Sequence, residues 1–258
     1  MWALRATSPC HVTNPVVETD VLLGEFTTHF KSTDVRRSAN VRRAALRLHG
    51  VVMSPRESLS YNAVVGPRTA QTGYHPALVI DQGKYVERPG GGVCQPSSTL
   101  HAAALFAGMS VLERSQHSWQ SPYIGPGLDA TVVWYNKDLV IRNPYPFDVR
   151  VHVDLFDDHI TFRLLGGKAP KGWVEVVTQV VRTFPFNTFE KLAPKLRAGR
   201  RLLTARGIDG LRVKRVRQWR NSLGVVRSER LSTDAYYPRH ERYLVGPQLA
   251  TSLQSSVP

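Results

Sequence analysis

Cys94 follows three glycines, Gly90-Gly91-Gly92, and precedes a helical stretch: Pro96 suits a first helical position, Leu100, Ala103, Ala104 and Ala107 recur at helical spacing, and Gly108 ends the run. A thiol at the start of a helix meets unpaired N–H groups and the positive end of the helix dipole. Both favour the thiolate. Downstream, His117 and Asp129 lie in polar, turn-rich sequence. A cysteine, a later histidine and a carboxylate are the composition of a thiol nucleophile, its base and the group that orients the base. In that arrangement His117 takes the thiol proton and returns it to a leaving group, and Asp129 fixes the imidazole tautomer. Backbone N–H groups at Gln95 and near the helix start would face the developing oxyanion, each such donor being worth ~3 kcal/mol of barrier.

Spacing also admits plainer roles. Cys94 could be an inert thiol under the helix, His117 a strand cap and Asp129 a turn anchor. His101 competes with His117 as partner, although seven residues beyond Cys94 puts it two turns along the helix. His29, His49, His75 and His152 have weaker claims, and no short spacing such as H-E-x-x-H marks a metal site. No cofactor motif accompanies Cys94.

The elements that must position these residues read as follows. Val21 to Phe30 is strand-like. Asp34 to His49 is an amphipathic helix capped by Asp34, with Val41, Ala44, Ala45 and Leu48 on one face, arginines largely outside it, and Gly50 as terminator. Val51 to Val65 carries short β-like runs broken at Ser54-Pro55. Ala77 to Ile80 and Tyr85-Val86 form a hairpin closed by residues 81–84, which delivers the chain to the glycines. Ser110 to Arg114 and Ala130 to Trp134 read as strands. Leu139 to Asn143, Phe147 to Leu155 and Ile160 to Leu164 alternate apolar and polar residues, as an antiparallel meander does. The fold expected is α+β, with two main helices over residues 21–166, a linker at 167–172 and an extended all-β module at 173–247. Residues 1–20 and 248–258 are expected to be a loose lead-in and tail.

Two cysteines, Cys10 and Cys94, exclude a disulfide framework and leave at most one bridge. The net charge of +14 is uneven: residues 171–258 hold 17 Lys and Arg against 6 Asp and Glu, whereas residues 1–170 hold 17 against 14. A basic C-terminal third suits an anionic polymer or surface, or a merely solvated strand face. Nucleic acid is disfavoured, because Lys214, Arg215, Arg217, Trp219 and Arg220 share one strand and alternate between its faces. No apolar run is long enough to span a bilayer, and residues 1–20 lack the apolar centre of a signal peptide.

Several motifs in order resemble the VanW family. They are Leu23-Gly24-Glu25-Phe26-Thr27-Thr28-His29-Phe30, Asn40-Val41-Arg42-Arg43-Ala44-Ala45, Ser58-Leu59-Ser60-Tyr61-Asn62 with Val65-Gly66-Pro67-Arg68-Thr69, Gly90-Gly91-Gly92-Val93-Cys94-Gln95 with Ser98-Thr99-Leu100, Glu113-Arg114 with His117-Ser118, and Gly127-Leu128-Asp129-Ala130-Thr131-Val132. The family is named for an accessory member of a B-type vancomycin-resistance cluster, and its members are typically bacterial, exported or membrane-anchored, and linked to the cell wall. The resemblance supplies a setting rather than a reaction. It implies an extracytoplasmic, cell-envelope location, with membrane association only if an anchor precedes this chain, and peptidoglycan or a related polymer as partner. It also places Cys94, His117 and Asp129, with Gly90, Gly91, Gly92, Gln95, Ser98, Thr99, Asn62 and Arg68 as candidate binding residues, inside the family's motifs. Pro96 and His101 depart from the usual pattern.

Beyond the linker, Pro185-Phe186, Leu196 to Gly199, Gly207 to Gly210, Val213 to Arg217, Arg230 to Thr233 and Leu244 to Gly246 resemble a G5 domain, a β module that the resemblance links to cell-wall glycans or self-association. Two functions of different class follow. One is a cell-wall enzyme that uses Cys94 for acyl transfer or hydrolysis. The other is a non-catalytic envelope protein whose glycine turn and helix shape a pocket for a wall fragment.

Overall fold

The computed structural model describes residues 21–81, 84–168 and 172–248; Cys10 and the expected lead-in lie outside them. The first sheet has strand order β1 (Val21–His29), β9 (His159–Gly166), β8 (Val149–Leu155), β2 (Val52–Met53), all antiparallel. The period-two pattern decides its inner face: Val149 and Val151 on β8 and Ile160, Phe162 and Leu164 on β9 are fully buried. On that core lies α1 (Val35–Leu48), which buries Val41, Ala44, Ala45 and Leu48 as its spacing predicts. The Asp34 carboxylate caps it by accepting from the Arg37 amide at 3.3 Å.

The helix α3 (Cys94–Phe106) is different in kind. Every residue from Gln95 to Leu105 is buried, because β1, β9, α1, β6 (Ser110–Glu113) and β10 (Trp173–Phe184) all pack around it. Small and apolar residues on all sides suit an enclosed helix rather than an amphipathic one. Its C-terminal end lies against β1, where a Cβ on Gly24 would come within 2.4 Å of the Ala107 amide nitrogen.

An α+β fold is therefore what the chain adopts, with local departures from the sequence reading. Tyr61–Val65 is a short helix, α2, where only β-like runs were expected; the Ser60 hydroxyl caps it and Tyr61 is wholly buried. Residues 130–134 make only isolated bridges, Ser115 with Thr131 and Val133 with Lys137. Their backbone groups are taken by side chains instead, the Ala130 amide by Ser98 Oγ at 2.9 Å and the Val132 carbonyl by the Cys94 thiol. The expected three-strand meander is a β8–β9 hairpin only. β7 (Val140–Arg142) leaves for a second sheet of order β3 (Ser58–Ser60), β7, β6. The hairpin of β4 (Pro76–Asp81) and β5 (Lys84–Pro89) forms as expected.

After residue 172 the chain is all β. One sheet has order β10, β13 (Gly210–Asn221), β14 (Gly224–Arg230), with β15 (Asp234–Tyr236) paired to β13. The other has order β11 (Thr188–Leu192), β16 (Glu241–Val245), β12 (Arg201–Ala205), with β11 parallel to β16. Neither β11 nor β12 was recognisable from its residues. On β13, Arg215 and Arg217 are 3% and 4% exposed rather than solvated. Arg217 donates to the Met109 carbonyl at 2.6 Å and to Glu229, and Arg215 to the Gly127 carbonyl at 2.5 Å, so this strand docks onto the loops around residues 109 and 127.

Candidate active site

The glycine turn is shaped by backbone angles that a side chain would oppose: Gly90 and Gly92 have φ of 85° and 104°. Between them, a Cβ on Gly91 would sit 2.5 Å from the Ala77 carbonyl oxygen. The turn is pinned by Asn40, whose amide donates to the Gly91 carbonyl at 3.0 Å. Out of it comes Cys94, the first residue of α3, half-buried and unbridged.

The Cys94 thiol meets the His117 ring and, at 3.6 Å, the Val132 carbonyl. On the far side of the imidazole, His117 Nδ1 lies 2.7 Å from Asp129 Oδ2, which also accepts from the His117 backbone amide at 2.7 Å. Cys94, His117 and Asp129, 35 residues apart at the extremes, thus form one contact chain. His101 does not compete: its Nδ1 is bonded to the Leu128 carbonyl at 2.7 Å, and burial with the nearby Arg114 charge depresses its pKa to about 3.

Residues that local sequence does not mark surround Asp129. Its Oδ1 accepts from Arg114 Nη2 at 3.0 Å and from the Tyr236 hydroxyl at 2.5 Å, so the carboxylate, 1% exposed, has four donors. Arg114 continues to Asp234 at 2.6 Å, and Asp234 also pairs with Arg215. Two arginines and two aspartates therefore form a buried lattice behind the histidine, half of it contributed by β13 and β15. Arg114 stood inside a motif, but nothing near Tyr236, Asp234 or Arg215 in sequence signals this use.

The electrostatics follow from these contacts. Burial pushes the Asp129 carboxyl up, but the His117 hydrogen bond, the Arg114 charge and the Tyr236 hydroxyl hold it well below the usual carboxylate range. Burial pushes His117 down, and its hydrogen bonds to Asp129 and Cys94 outweigh that and raise it to about 9. Burial likewise raises the Cys94 thiol, yet its hydrogen bond with His117, the His117 charge, a backbone hydrogen bond at Val132 and the charge of Arg68 bring it below its ordinary value. An imidazolium facing a thiolate is the charge state these directions favour.

Of the expected binding residues, Gln95, Ser98 and Thr99 are fully buried and committed internally. Gln95 accepts from Arg37 and donates to Thr28 and the His29 carbonyl; Thr99 bonds Thr28; Ser98 donates to the Cys94 carbonyl. These contacts hold α3 in place against its neighbours. The Gln95 amide is also unavailable to an oxyanion, being bonded to the Gly92 carbonyl at 2.9 Å. Asn62 and Arg68 bond each other at 2.6 Å beside the glycine turn. For a metal, His29, Asp158 and His159 offer ligand atoms within 4.8 Å of one another, a cross-strand grouping that no sequence spacing announces.

Residues 36–165 match the family model described as VanW like protein. Over 123 residues the chain is 42% identical to "Uncharacterized protein YoaR" of Bacillus subtilis (strain 168), covering 48% of this chain and 41% of that protein. It is 28% identical over 165 residues to "Vancomycin B-type resistance protein VanW" of Enterococcus faecalis (strain ATCC 700802 / V583), covering 62% of this chain and 60% of that one. The chain thus spans less than two thirds of the length of either relative. Among solved structures, an IgA1 protease G5 domain aligns with 30% of this chain and 92% of its own length at 19% identity and a TM-score of 0.21, a likeness too slight to carry weight. With the family model covering half of its 258 residues, and the glycine turn, Cys94, His117 and Asp129 all inside the matched segment, the chain belongs to the VanW-like family.

Proposed function

We propose that this chain is a cysteine-dependent acyltransferase or hydrolase acting on an amide or ester of a cell-envelope polymer such as peptidoglycan. The observation that carries the reading is the His117 ring held between the Cys94 thiol and Asp129 Oδ2, with Nδ1 at 2.7 Å from the carboxylate. The Cys94 thiolate attacks the substrate carbonyl, forming a C–S bond. His117, protonated, gives its proton to the departing amine or alcohol as the C–N or C–O bond breaks. Water or an acceptor amine then attacks the thioester, His117 takes the incoming proton, and the thiolate is regenerated. Asp129 remains ionised throughout and steadies the imidazolium. With the Gln95 amide occupied and Pro96 lacking an N–H, the first-turn donor proposed for the oxyanion is the Cys94 amide.

The envelope setting is supported by family membership and by the resistance named for the Enterococcus relative. Among the described residues no helix is long and apolar enough to cross a membrane. Iodoacetamide labelling of Cys94 across pH, with Cys10→Ser throughout and His117→Ala beside it, tests the reading. Fast labelling well below the ordinary thiol pKa of ~8.5, slowed by loss of His117, is expected. Labelling indifferent to His117 would sink the catalytic reading and favour a non-catalytic envelope-binding protein.

A further inference from the structure

Arg68 has a charge with no carboxylate on it. Its Nη2 donates to Asn62 Oδ1, an uncharged amide oxygen, while Nε and Nη1 are buried and meet no acceptor. Among the described residues no acidic side chain forms an ion pair with it. The guanidinium lies instead over two rings, 5.5 Å from the centroid of Tyr61 and 5.7 Å from that of Trp134. Buried guanidinium N–H groups without acceptors are rare in folded proteins, because each forfeits its hydration for nothing. A ligand oxygen would remove that deficit.

The surroundings connect this cation to Cys94. The Arg68 stem lies against the glycine turn, where a Cβ on Gly90 would come within 2.7 Å of its own Cβ. Tyr61 is tied to the residue before the cysteine by its hydroxyl, 2.8 Å from the Val93 carbonyl. Asn62 in turn donates to the carbonyls of Val133 and Lys137, the two ends of the turn that carries Trp134. That turn begins one residue after Val132, whose carbonyl receives the Cys94 thiol. Its tip stands open to solvent: Tyr135 is 89% exposed and holds φ at 64°, an uncommon angle for a non-glycine residue, with its ring 4.6 Å from that of half-exposed Trp134.

We propose that Arg68, with Trp134 as a displaceable cover, is the subsite for a carboxylate on the substrate acylating Cys94. The substrate class is then a peptide, or an amino-acid amide or ester, that bears a free carboxylate near the carbonyl under attack. An unpaired guanidinium selects an anion, and carboxylates are the planar anions its donors match. Asn62 orients the guanidinium, and the Trp134 ring moves off one face to let the carboxylate in. The proposal rests on reading Cys94 as the nucleophile, and its test separates the two.

Iodoacetate and iodoacetamide both alkylate a thiolate by forming a C–S bond and expelling iodide, and they differ only in carrying a carboxylate or an amide. Their rates at Cys94 are compared in the full chain with Cys10→Ser, with Arg68 intact and as Arg68→Gln and Arg68→Lys. The iodoacetate-to-iodoacetamide ratio is expected to be about tenfold or more higher with Arg68 intact than in Arg68→Gln, the size of one charge-assisted contact. Iodoacetamide still labelling the variants certifies the fold. An unchanged ratio overturns the subsite while leaving the nucleophile in place. Should neither reagent label Cys94, the nucleophile reading falls, and the subsite is then decided in Cys94→Ala protein by following the Arg68 Nε–H resonance. A response to N-acetylalanine and not to N-acetylalaninamide supports a carboxylate subsite; an equal response to both, to neither, or to inorganic phosphate overturns it.

Discussion

The hydroxyl of Tyr236 is a small group with a large expected effect, because it joins the C-terminal β segment to the carboxylate behind His117. It donates to Asp129 Oδ1 at 2.5 Å and accepts from the Gly127 amide at 2.7 Å, and the residue is 1% exposed. Tyr236→Phe keeps the ring and its packing but removes both contacts. The bond to an ionised partner is worth about 1.5–3 kcal/mol, and an orphaned buried amide about 1–3 kcal/mol more, so a loss of roughly 2.5–6 kcal/mol in folding stability is expected. The sign on the histidine is opposite to simple damage. A carboxylate with one donor fewer is a stronger acceptor, so it holds the His117 proton more tightly, and the His117 pKa should rise further above about 9. Denaturant unfolding measures the first effect, and an NMR titration of the imidazole nitrogens measures the second. A variant with unchanged stability and an unchanged His117 titration would refute the view that the C-terminal segment completes this site.

Asp129→Asn should act in the other direction on the base. It leaves Arg114 and Arg215 facing only Asp234 as a buried anion, so His117 should fall from about 9 toward or below its ordinary 6.5, Cys94 labelling near about pH 7 should slow at least about tenfold, and unfolding should be easier by about 3–5 kcal/mol. The raised His117 pKa predicts a stability window: its contribution is full below 6.5 and lost as pH rises through about 9, so the melting-temperature gap between the native chain and His117→Gln should narrow over that interval. At the acid end the depressed Asp129 carboxyl contributes above 3.8 and loses its effect as pH falls below that, which acid unfolding of Asp129→Asn against the native chain would register. Gly91→Ala should lower stability by about 1–3 kcal/mol, since its methyl would press on the Ala77 carbonyl oxygen, and an unchanged melting temperature would contradict that close approach.

What the sequence makes legible is what local chemistry decides. The start of α3 is written in three glycines and a proline, and the apolar face of α1 in its spacing, so Cys94 and its helix could be placed from their neighbours. The histidine and the carboxylate could be named by type, but their meeting depends on a segment, residues 130–134, that gives up strand pairing to bond with α3 side chains. The donors around Asp129 were hidden for a different reason. Tyr236 lies 107 residues from its partner, and Asp234 lies 120 from Arg114. The alternating arginines of β13 read equally well as a solvated face and as an interface, because period two fixes which residues share a side and is silent on what that side meets. Gln95, Ser98 and Thr99 show the same limit in reverse: polar residues beside a thiol suggest ligand contact, and the sequence is silent on the bonds they make to α3 and its neighbours.

The enclosure of α3 has a consequence for how motion is distributed. A helix walled in on every side opens only when its surroundings open, so its amides should be among the slowest in the molecule to exchange with deuterium. The thiol is therefore mounted on an element expected to yield slowly, whereas the turn bearing Trp134 and Tyr135 stands at the surface, held at its two ends by the Val133–Lys137 bridge and the Asn62 side chain. Precision and adaptability are thus assigned to different pieces of the fold. Sequence variation should accumulate in the residues of that turn, and the interior of α3 should tolerate almost none.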